Sequence, residues 1–132
     1  MNKLFYPALF HEAEEGGFWV NFPDIPECMT QGDDMQQAYE MAVEALGLSL
    51  SSMEDEKAEI PRASRPQDIQ NEAGSFLVVI EFDMAEYRRK HCSRAIKKTL
   101  SIPEWLNDAA IKQNINFSQV LQEALMERVG VR

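Results

Sequence analysis

The chain has 132 residues, of which 45% are hydrophobic and 27% are charged, so we expect a globular protein with a buried core and not a disordered chain. It has no run of 18 apolar residues that would span a membrane and no secretory leader, and we therefore expect it in the cytoplasm. Two Cys and two His residues are too few for a disulfide framework or a CxxC zinc site, so no metal or other cofactor is expected.

The net charge of −9 is unevenly distributed along the chain. Residues 1–86 hold 18 Asp and Glu against four Lys and Arg, whereas residues 87–132 hold nine Lys and Arg against four Asp and Glu. The acidic part would attract a basic partner, and the basic part would attract phosphates. An acidic surface that only keeps the protein soluble remains an alternative for the first part. The basic residues concentrate at Arg88-Arg89-Lys90, Arg94 and Lys97-Lys98.

The first thirty residues predict three strands. Residues 3–11 and 18–22 are rich in aromatic and branched residues and flank a Gly-rich turn, which predicts a hairpin. Pro7 indicates an edge strand or a bulge in the first of them, because proline cannot donate to a ladder. Pro23-Asp24-Ile25-Pro26 interrupts the pairing, and a third short strand is predicted over residues 27–31.

A helix follows the pair Asp33-Asp34, either of which can act as its N-cap with Gln36 or Gln37 as the capping partner. Residues 54–75 are predicted to form a long loop, and residues 76–82 a buried strand. Residues 1–83 therefore predict an α+β domain of order βββ-α-β, one sheet with a helix across one face. The helical apolar spacing is carried by Met35, Ala38, Tyr39, Ala42, Ala45, Leu46, Leu50 and Met53.

The rest of the chain predicts a basic linker over residues 84–95 and a small β-α-α module over residues 96–132. The strand over residues 96–102 alternates polar and apolar residues and ends at Pro103. Two helices are predicted, over residues 104–113 and 117–129. Three residues mark their ends: Asn114 in a left-handed conformation, Asn116 as an N-cap and Gly130 as a terminator.

This module is too small to support its own core, and its strand has no local mate. Pairing of the strand with the same strand of a second chain solves both problems, which predicts a dimer formed through residues 96–130. Leu100 and Ile102 must then face the core on the same side as Lys98. The other side presents Lys97, Thr99 and Ser101, and a two-stranded ribbon of this kind fits the DNA major groove.

The letters A-I-K-K-T-L-S-I-P-E-W-L from Ala95 and N-F-S-Q-V-L-Q-E-A-L from Asn116 resemble a ribbon-helix-helix module of the Arc/MetJ repressor type. Departures are Asn114 where many members have Gly and Phe117 where Arg is frequent, and the loss of Arg weakens the phosphate contact. A dimerisation module without a DNA role remains an alternative. The resemblance implies that Lys97, Thr99 and Ser101 read bases. It also implies that the backbone amides at Asn116, Phe117 and Ser118 hold a phosphate. The basic cluster adds Lys98 and Arg94 to the candidate DNA-binding residues.

The N-terminal part carries a second resemblance, to the HicB antitoxin family. It rests on E-E-G-G-F at 14–18, F-P-D-I-P-E-C at 22–28, T-Q-G-D at 30–33 and the Ala-containing helix that follows. The resemblance implies a partial ribonuclease H fold for residues 1–83. It also implies a partner, the small basic toxin HicA, which cleaves messenger RNA. By the same resemblance, HicB covers the toxin and represses the operon that encodes both proteins.

A tight toxin interface needs a desolvated apolar centre inside the acidic domain. The turn between the second and third strands and the residues beside it are the candidates, although some of them must belong to the core. The candidate toxin-binding residues are Phe18, Trp19, Phe22, Asp24, Ile25, Glu27 and Met29, together with Pro23.

Two other functions remain open. One is a stand-alone ribbon-helix-helix repressor whose N-terminal domain senses a ligand, which a large apolar pocket in residues 1–83 would favour. The other is a metal-dependent nuclease, which needs several converging carboxylates. The predicted elements do not bring such carboxylates together, so we expect no enzyme activity. The carboxylates considered are Asp24, Asp33, Asp34, Glu81 and Asp83.

Overall fold

The structure is a computed structural model that describes residues 3–130, so residues 1, 2, 131 and 132 of the predicted domains lie outside it. The chain divides into two compact units between Arg94 and Ala95. Each unit is described separately below. None of the helices in the described range is long and apolar enough to cross a membrane.

The N-terminal unit is an antiparallel sheet with two helices, so the predicted α+β class is confirmed. Its elements are β1 Lys3–Glu12, β2 Phe18–Phe22, β3 Ile25–Gly32, α1 Met35–Asp55, β4 Ser75–Asp83 and α2 Met84–His91. The strand order across the sheet is β3-β2-β1-β4. The predicted β1-β2 hairpin closes through Gly16 and Gly17, whose φ angles of 95° and 77° lie in the region that favours glycine.

One prediction about the strands is wrong, and another is confirmed with an earlier start. β1 is an interior strand, whereas Pro7 predicted an edge strand or a bulge. Proline is tolerated here because the pairing of β1 with β2 begins only at Leu9, beyond Pro7. The third strand, predicted over residues 27–31, is formed as β3, which begins two residues earlier, at Ile25. A shift in register between Asn21 and Phe22 absorbs the irregularity.

The core of this unit lies between α1 and one face of the sheet, here called the inner face. Its centre is fully buried and joins Phe10 of β1, Phe22 of β2 and Ile25 of β3 to Leu46 and Leu50 of α1. The apolar side of α1 packs here on the apolar side chains of the inner face, as the predicted helix across one face of the sheet requires. The remaining buried members are Tyr6, Ala8, Val20, Cys28, Ala38, Ala42, Ile80 and Phe82.

The start of α1 follows the predicted cap. Asp34 is the N-cap, and its Oδ1 accepts a hydrogen bond of 2.8 Å from the Gln37 backbone N–H. The Gln37 side chain accepts in return from the backbone N–H of Asp33, at 2.6 Å. One of the N–H groups that a helix start leaves unpaired, that of Gln37, is thus satisfied, and so is the N–H of Asp33 just before the cap.

Residues 84–91, predicted as part of a linker, form the helix α2. Asp83 is its N-cap, since its Oδ1 accepts from the Glu86 backbone N–H at 3.2 Å. Tyr87 packs its ring against Phe82, with the centroids 5.6 Å apart, and against Gly47 of α1. The composition of the segment is basic, but its one large aromatic residue is enough to attach it to the core.

The C-terminal unit contains α3, Glu104–Lys112, and α4, Phe117–Val129. The predicted helix boundaries are confirmed to within one residue, and Asn114 has the predicted positive φ, at 56°. The strand predicted over residues 96–102 is not formed in the single chain. A strand exists only when its backbone groups are paired, and no other strand occurs in the described part of this unit.

Candidate functional site

The face of the sheet that points away from α1, here called the outer face, is largely apolar. Its residues Pro7, Leu9 and His11 in β1 are buried, and exposed apolar side chains lie around them. Directly paired residues of neighbouring strands have side chains on the same face. One such row runs across all four strands as Met29, Asn21, Leu9 and Leu77. The exposed apolar residues of this face are Phe5 at 53%, Trp19 at 37%, Met29 at 59% and Val79 at 40%.

Trp19 is held in place on this face by His11. The two residues are cross-strand partners, and their rings stack with centroids 3.7 Å apart and planes 9° from parallel. The Nε2 of His11 lies 2.6 Å from the Oδ1 of Asn21, and the imidazole is buried. The indole is therefore partly exposed on a rigid support.

The structure separates the predicted toxin-binding residues into two groups. Phe22 and Ile25 are 1% and 0% exposed in the core, so the prediction that they contact a partner is wrong. Phe18 is half-buried on the inner side, where its ring packs edge-on against Phe76 at 5.6 Å. Trp19 and Met29 lie on the outer face, and Glu27 is exposed in β3.

Asp24 has a structural partner in the long loop. Its carboxylate accepts hydrogen bonds from the backbone N–H of Ser64, at 2.9 Å, and from the Ser64 hydroxyl, at 2.5 Å. The loop is attached a second time where the Tyr6 hydroxyl donates to the Pro61 carbonyl at 2.6 Å. Burial raises the pKa of this phenol, so it remains a donor at physiological pH.

Three of the four basic residues of α2 contact carboxylates of α1. Lys90 and His91 both contact Glu44, at 3.0 Å each, and Arg88 contacts Glu54. Hydrogen bonding to Lys90 lowers the pKa of Glu44 and raises that of Lys90. Two of the six residues of the basic cluster, Arg88 and Lys90, are therefore engaged within the N-terminal unit, which the sequence did not predict.

Three of the carboxylates considered for metal catalysis each have a different structural partner. Asp34 and Asp83 cap helices, while Glu81 forms an ion pair of 2.8 Å with Lys3. Within residues 3–130, no three His, Cys, Asp or Glu side chains come together as a metal site. A cleft of about 350 Å³ lies nearby, between Tyr39 and Tyr87. Six of its ten lining residues are charged, which differs from the large apolar pocket that would indicate a ligand sensor.

The predicted DNA-binding residues lie in the C-terminal unit or at its border and are all exposed. Lys97, Lys98, Thr99 and Ser101 lie in the segment that precedes α3, and Arg94 lies just before it. Asn116 is the N-cap of α4, and its Oδ1 accepts from the Gln119 backbone N–H at 3.0 Å. Phe117 and Ser118 follow in the first turn of that helix.

The C-terminal unit exposes most of its apolar side chains. Ala110 is the one residue that the structure buries among those described in this unit, and it is 8% exposed. Trp105 is 71% exposed, and Leu100, which was predicted to face a core, is 60% exposed. The others are Ile96, Ile102, Leu106, Ile111, Ile115, Phe117, Val120, Leu125, Met126 and Val129.

Sequence reasoning missed three residues of the outer face: Phe5, Leu77 and Val79. The signal was present, because β4 reads as a nearly continuous apolar run and β1 has apolar residues at both odd and even positions. Such strands are apolar on both faces and indicate a covering layer on each. Within the N-terminal unit, both α1 and α2 pack on the inner side.

Apolar surfaces of this extent on a folded domain are typical of proteins that bind other macromolecules. Comparison with known proteins agrees with this class. Residues 6–127 match the family model described as the HicB-like antitoxin of bacterial toxin-antitoxin systems. The chain belongs to this family, as its N-terminal motifs predict.

Individual relatives match over different lengths. The protein named Antitoxin HicB 1 of Photorhabdus laumondii is 45% identical over 61 residues, which is 46% of this chain and 39% of that protein. The aligned part of the chain thus spans less than half the length of this relative. Two solved structures are each 27% identical. A toxin-antitoxin complex from Streptococcus pneumoniae has a TM-score of 0.58 and covers 96% of this chain and 99% of its own, and the antitoxin HicB3 has a TM-score of 0.55 and covers 96% and 98%.

Proposed function

We propose that the chain is a cytoplasmic antitoxin that neutralises a HicA-type messenger-RNA-cleaving toxin and represses its own operon. In this proposal the N-terminal unit, a partial ribonuclease H fold, covers the toxin. The C-terminal unit pairs with its copy as a ribbon-helix-helix dimer and binds operator DNA. The observation that carries the proposal is the family match over residues 6–127, together with the likeness to a chain of a toxin-antitoxin complex over 96% of this chain.

The charge of the N-terminal unit supports a basic partner. Residues 1–94 contain 18 Asp and Glu against eight Lys and Arg. Complementary charge of this kind accelerates encounter and selects against acidic competitors. Affinity would come from the exposed apolar residues of the outer face, which a partner would remove from water.

The C-terminal unit supports the dimer. Its exposed apolar residues include Leu100, Ile102 and Leu106, at 60%, 46% and 42%. The unpaired segment before α3 provides backbone groups that a second copy would pair in a ribbon. Such a ribbon would present Lys97, Thr99 and Ser101 to the major groove, and the start of α4 would lie against a phosphate.

The first experiment uses the full chain with an affinity tag. It is expressed in its native host, its partners are co-purified and identified by mass, and each partner is then expressed alone. We expect one small basic protein that arrests growth and degrades messenger RNA, and we expect co-expression of the full chain to restore growth. Growth arrest that the full chain does not relieve would contradict the antitoxin role.

The second experiment measures binding to the promoter DNA of the operon. Lys97→Ala and Thr99→Ala should each weaken binding by about 1–3 kcal/mol if each residue reads a base. Arg94→Ala should weaken binding to all sequences alike and reduce its salt dependence by about one phosphate. Because Arg88 and Lys90 are paired with Glu54 and Glu44, we expect their replacement to change the salt dependence less.

A further inference from the structure

The outer face has the anatomy of a protein-binding surface. Its centre is the row of Met29, Asn21, Leu9 and Leu77, and apolar residues continue on either side of that row. Leu9 is only 6% exposed, while Met29 at the β3 edge of the row is 59% exposed. A partner lying on this row would therefore bury much more of Met29 than of Leu9.

The aromatic anchor of this surface is already positioned. Trp19 is stacked on His11 at 3.7 Å, and His11 is held by Asn21 at 2.6 Å. A tryptophan that is rigid before binding loses little conformational entropy on binding, and tryptophan is the residue most enriched in binding hot spots. The stack thus gives the face a centre on which a partner can pack.

The charge around this face favours a basic occupant over a second copy of the chain. Glu27 is exposed in the same strand as Met29, and Glu81 is exposed in β4 opposite Phe5. Lys3 pairs with Glu81, at 2.8 Å. Two copies joined through this face would bring two acidic units together, each with 18 Asp and Glu against eight Lys and Arg, whereas a basic partner would neutralise the rim.

We propose that the outer face, centred on Trp19 and Met29 and extended by Phe5 and Val79, is the surface on which the basic toxin docks. This inference rests on the proposed function and specifies where it takes place. It replaces the predicted interface around the β2-β3 turn, because Phe22 and Ile25 are in the core and Asp24 is bound to Ser64.

The test uses three variants of the full chain and the purified toxin identified by co-purification. Trp19→Ala removes the anchor, and Met29→Arg places a cation where the basic toxin would lie. Leu48→Arg is the matched control, because Leu48 is an equally exposed apolar residue, at 67%, on α1 and therefore on the other side of the sheet. Calorimetry gives the affinity, thermal unfolding verifies the fold and light scattering gives the mass of the assembly.

We expect Trp19→Ala and Met29→Arg each to weaken toxin binding by about 30-fold or more and to abolish growth rescue. Leu48→Arg should bind within about threefold of the unchanged chain. All three variants should retain promoter binding, which reports on the C-terminal unit.

Two results would contradict the assignment of the outer face as the toxin-docking surface while leaving the proposed function intact. One is toxin affinity in both outer-face variants equal to that of Leu48→Arg. The other is a Met29→Arg variant that binds toxin normally but forms a smaller assembly, which would assign the face to a second copy. If the unchanged chain neither binds nor neutralises the toxin, the proposed function itself fails, and this is visible before any variant is made.

Discussion

The ring of Tyr87 on α2 lies against the Cα of Gly47 on α1, in the space that a β-carbon at residue 47 would occupy. Gly47 is buried in the middle of a 21-residue helix, where alanine would be the better helix former by about 1 kcal/mol. The glycine therefore serves the contact between the two helices. This contact attaches α2 to the core of the N-terminal unit.

Gly47→Ala is expected to destabilise the protein by about 1–3 kcal/mol despite the gain in helix propensity, because the new methyl group must displace the Tyr87 ring. The double variant Gly47→Ala/Tyr87→Ala should lose less free energy of unfolding than the two single variants lose together, because removal of the ring removes the clash. Urea denaturation of the four proteins measures this coupling. Additive effects would show that the ring and the helix do not compete for the same space.

Glu44 makes the attachment of α2 dependent on pH. Its pKa is lowered below the usual 4.5, first by the hydrogen bond from Lys90, so its contribution is present above pH 4.5 and is lost as the pH falls through the folded-state pKa. The pKa of Lys90 is raised above 10.5, so the contribution persists to that pH and is lost above it. We expect Glu44→Gln to increase amide hydrogen exchange in α2 at pH 7.

The difference between Glu44→Gln and the unchanged chain should shrink as the pH falls through the folded-state pKa of Glu44, because the protonated carboxyl no longer pairs with Lys90. Glu40→Gln is the control, since Glu40 lies on the same helix but accepts a hydrogen bond from Gln36, at 3.2 Å. Equal exchange in α2 for Glu44→Gln and Glu40→Gln at pH 7 would show that the ion pairs do not hold the helix.

Asp24 is expected to hold the loop that joins α1 to β4. Asp24→Ala removes both hydrogen bonds from Ser64 and should cost about 1–3 kcal/mol, because bonds to a charged acceptor are the stronger ones. Ser64→Ala keeps the backbone bond and should cost less. Limited trypsin digestion at Lys57, Arg62 and Arg65 reports on the loop directly. A digestion rate that Asp24→Ala leaves unchanged would contradict this assignment.

An acidic substitution on the inner side of the proposed ribbon should prevent the C-terminal unit from pairing with its second copy. Leu100→Asp is expected to reduce the mass of the assembly measured by light scattering, because a carboxylate would be buried between two copies. Thr99→Asp, one residue earlier and on the outer side, should keep the mass but lose promoter binding by charge repulsion. The same mass for Leu100→Asp and the unchanged chain would exclude this dimer.

The two thiols should differ in reactivity. Cys92 is exposed, whereas Cys28 is buried in the core and its pKa is raised by that burial, so its thiolate is scarce. We expect one rapidly reacting thiol per native chain with a disulfide reagent at pH 8, and two in urea. Cys92→Ser should leave no fast thiol in the native protein. A fast reaction in that variant would mean that the core opens around β3.

Local patterns allowed much of the fold to be predicted from the sequence. The cap at Asp34, the left-handed Asn114 and the spacing of Ala38, Ala42 and Leu46 are short-range features, and each is where the sequence places it. The family, too, was predicted from its motifs. The helix α2 was missed because it depends on Tyr87 meeting Gly47, forty residues away in the chain, and not on its own polar composition.

The sequence by itself determined the order of elements up to β4, the inner core and the charge separation, since each follows from residue types and their local periodicity. Only the tertiary structure decided which apolar residues are free to bind a partner. Phe22 and Trp19 are three residues apart with similar chemistry, yet one is 1% and the other 37% exposed, because a strand points them to opposite faces and α1 covers just one face. The pairing of Arg88 and Lys90 with α1 was likewise decided by packing, since charge in a sequence does not specify which opposite charge it will meet.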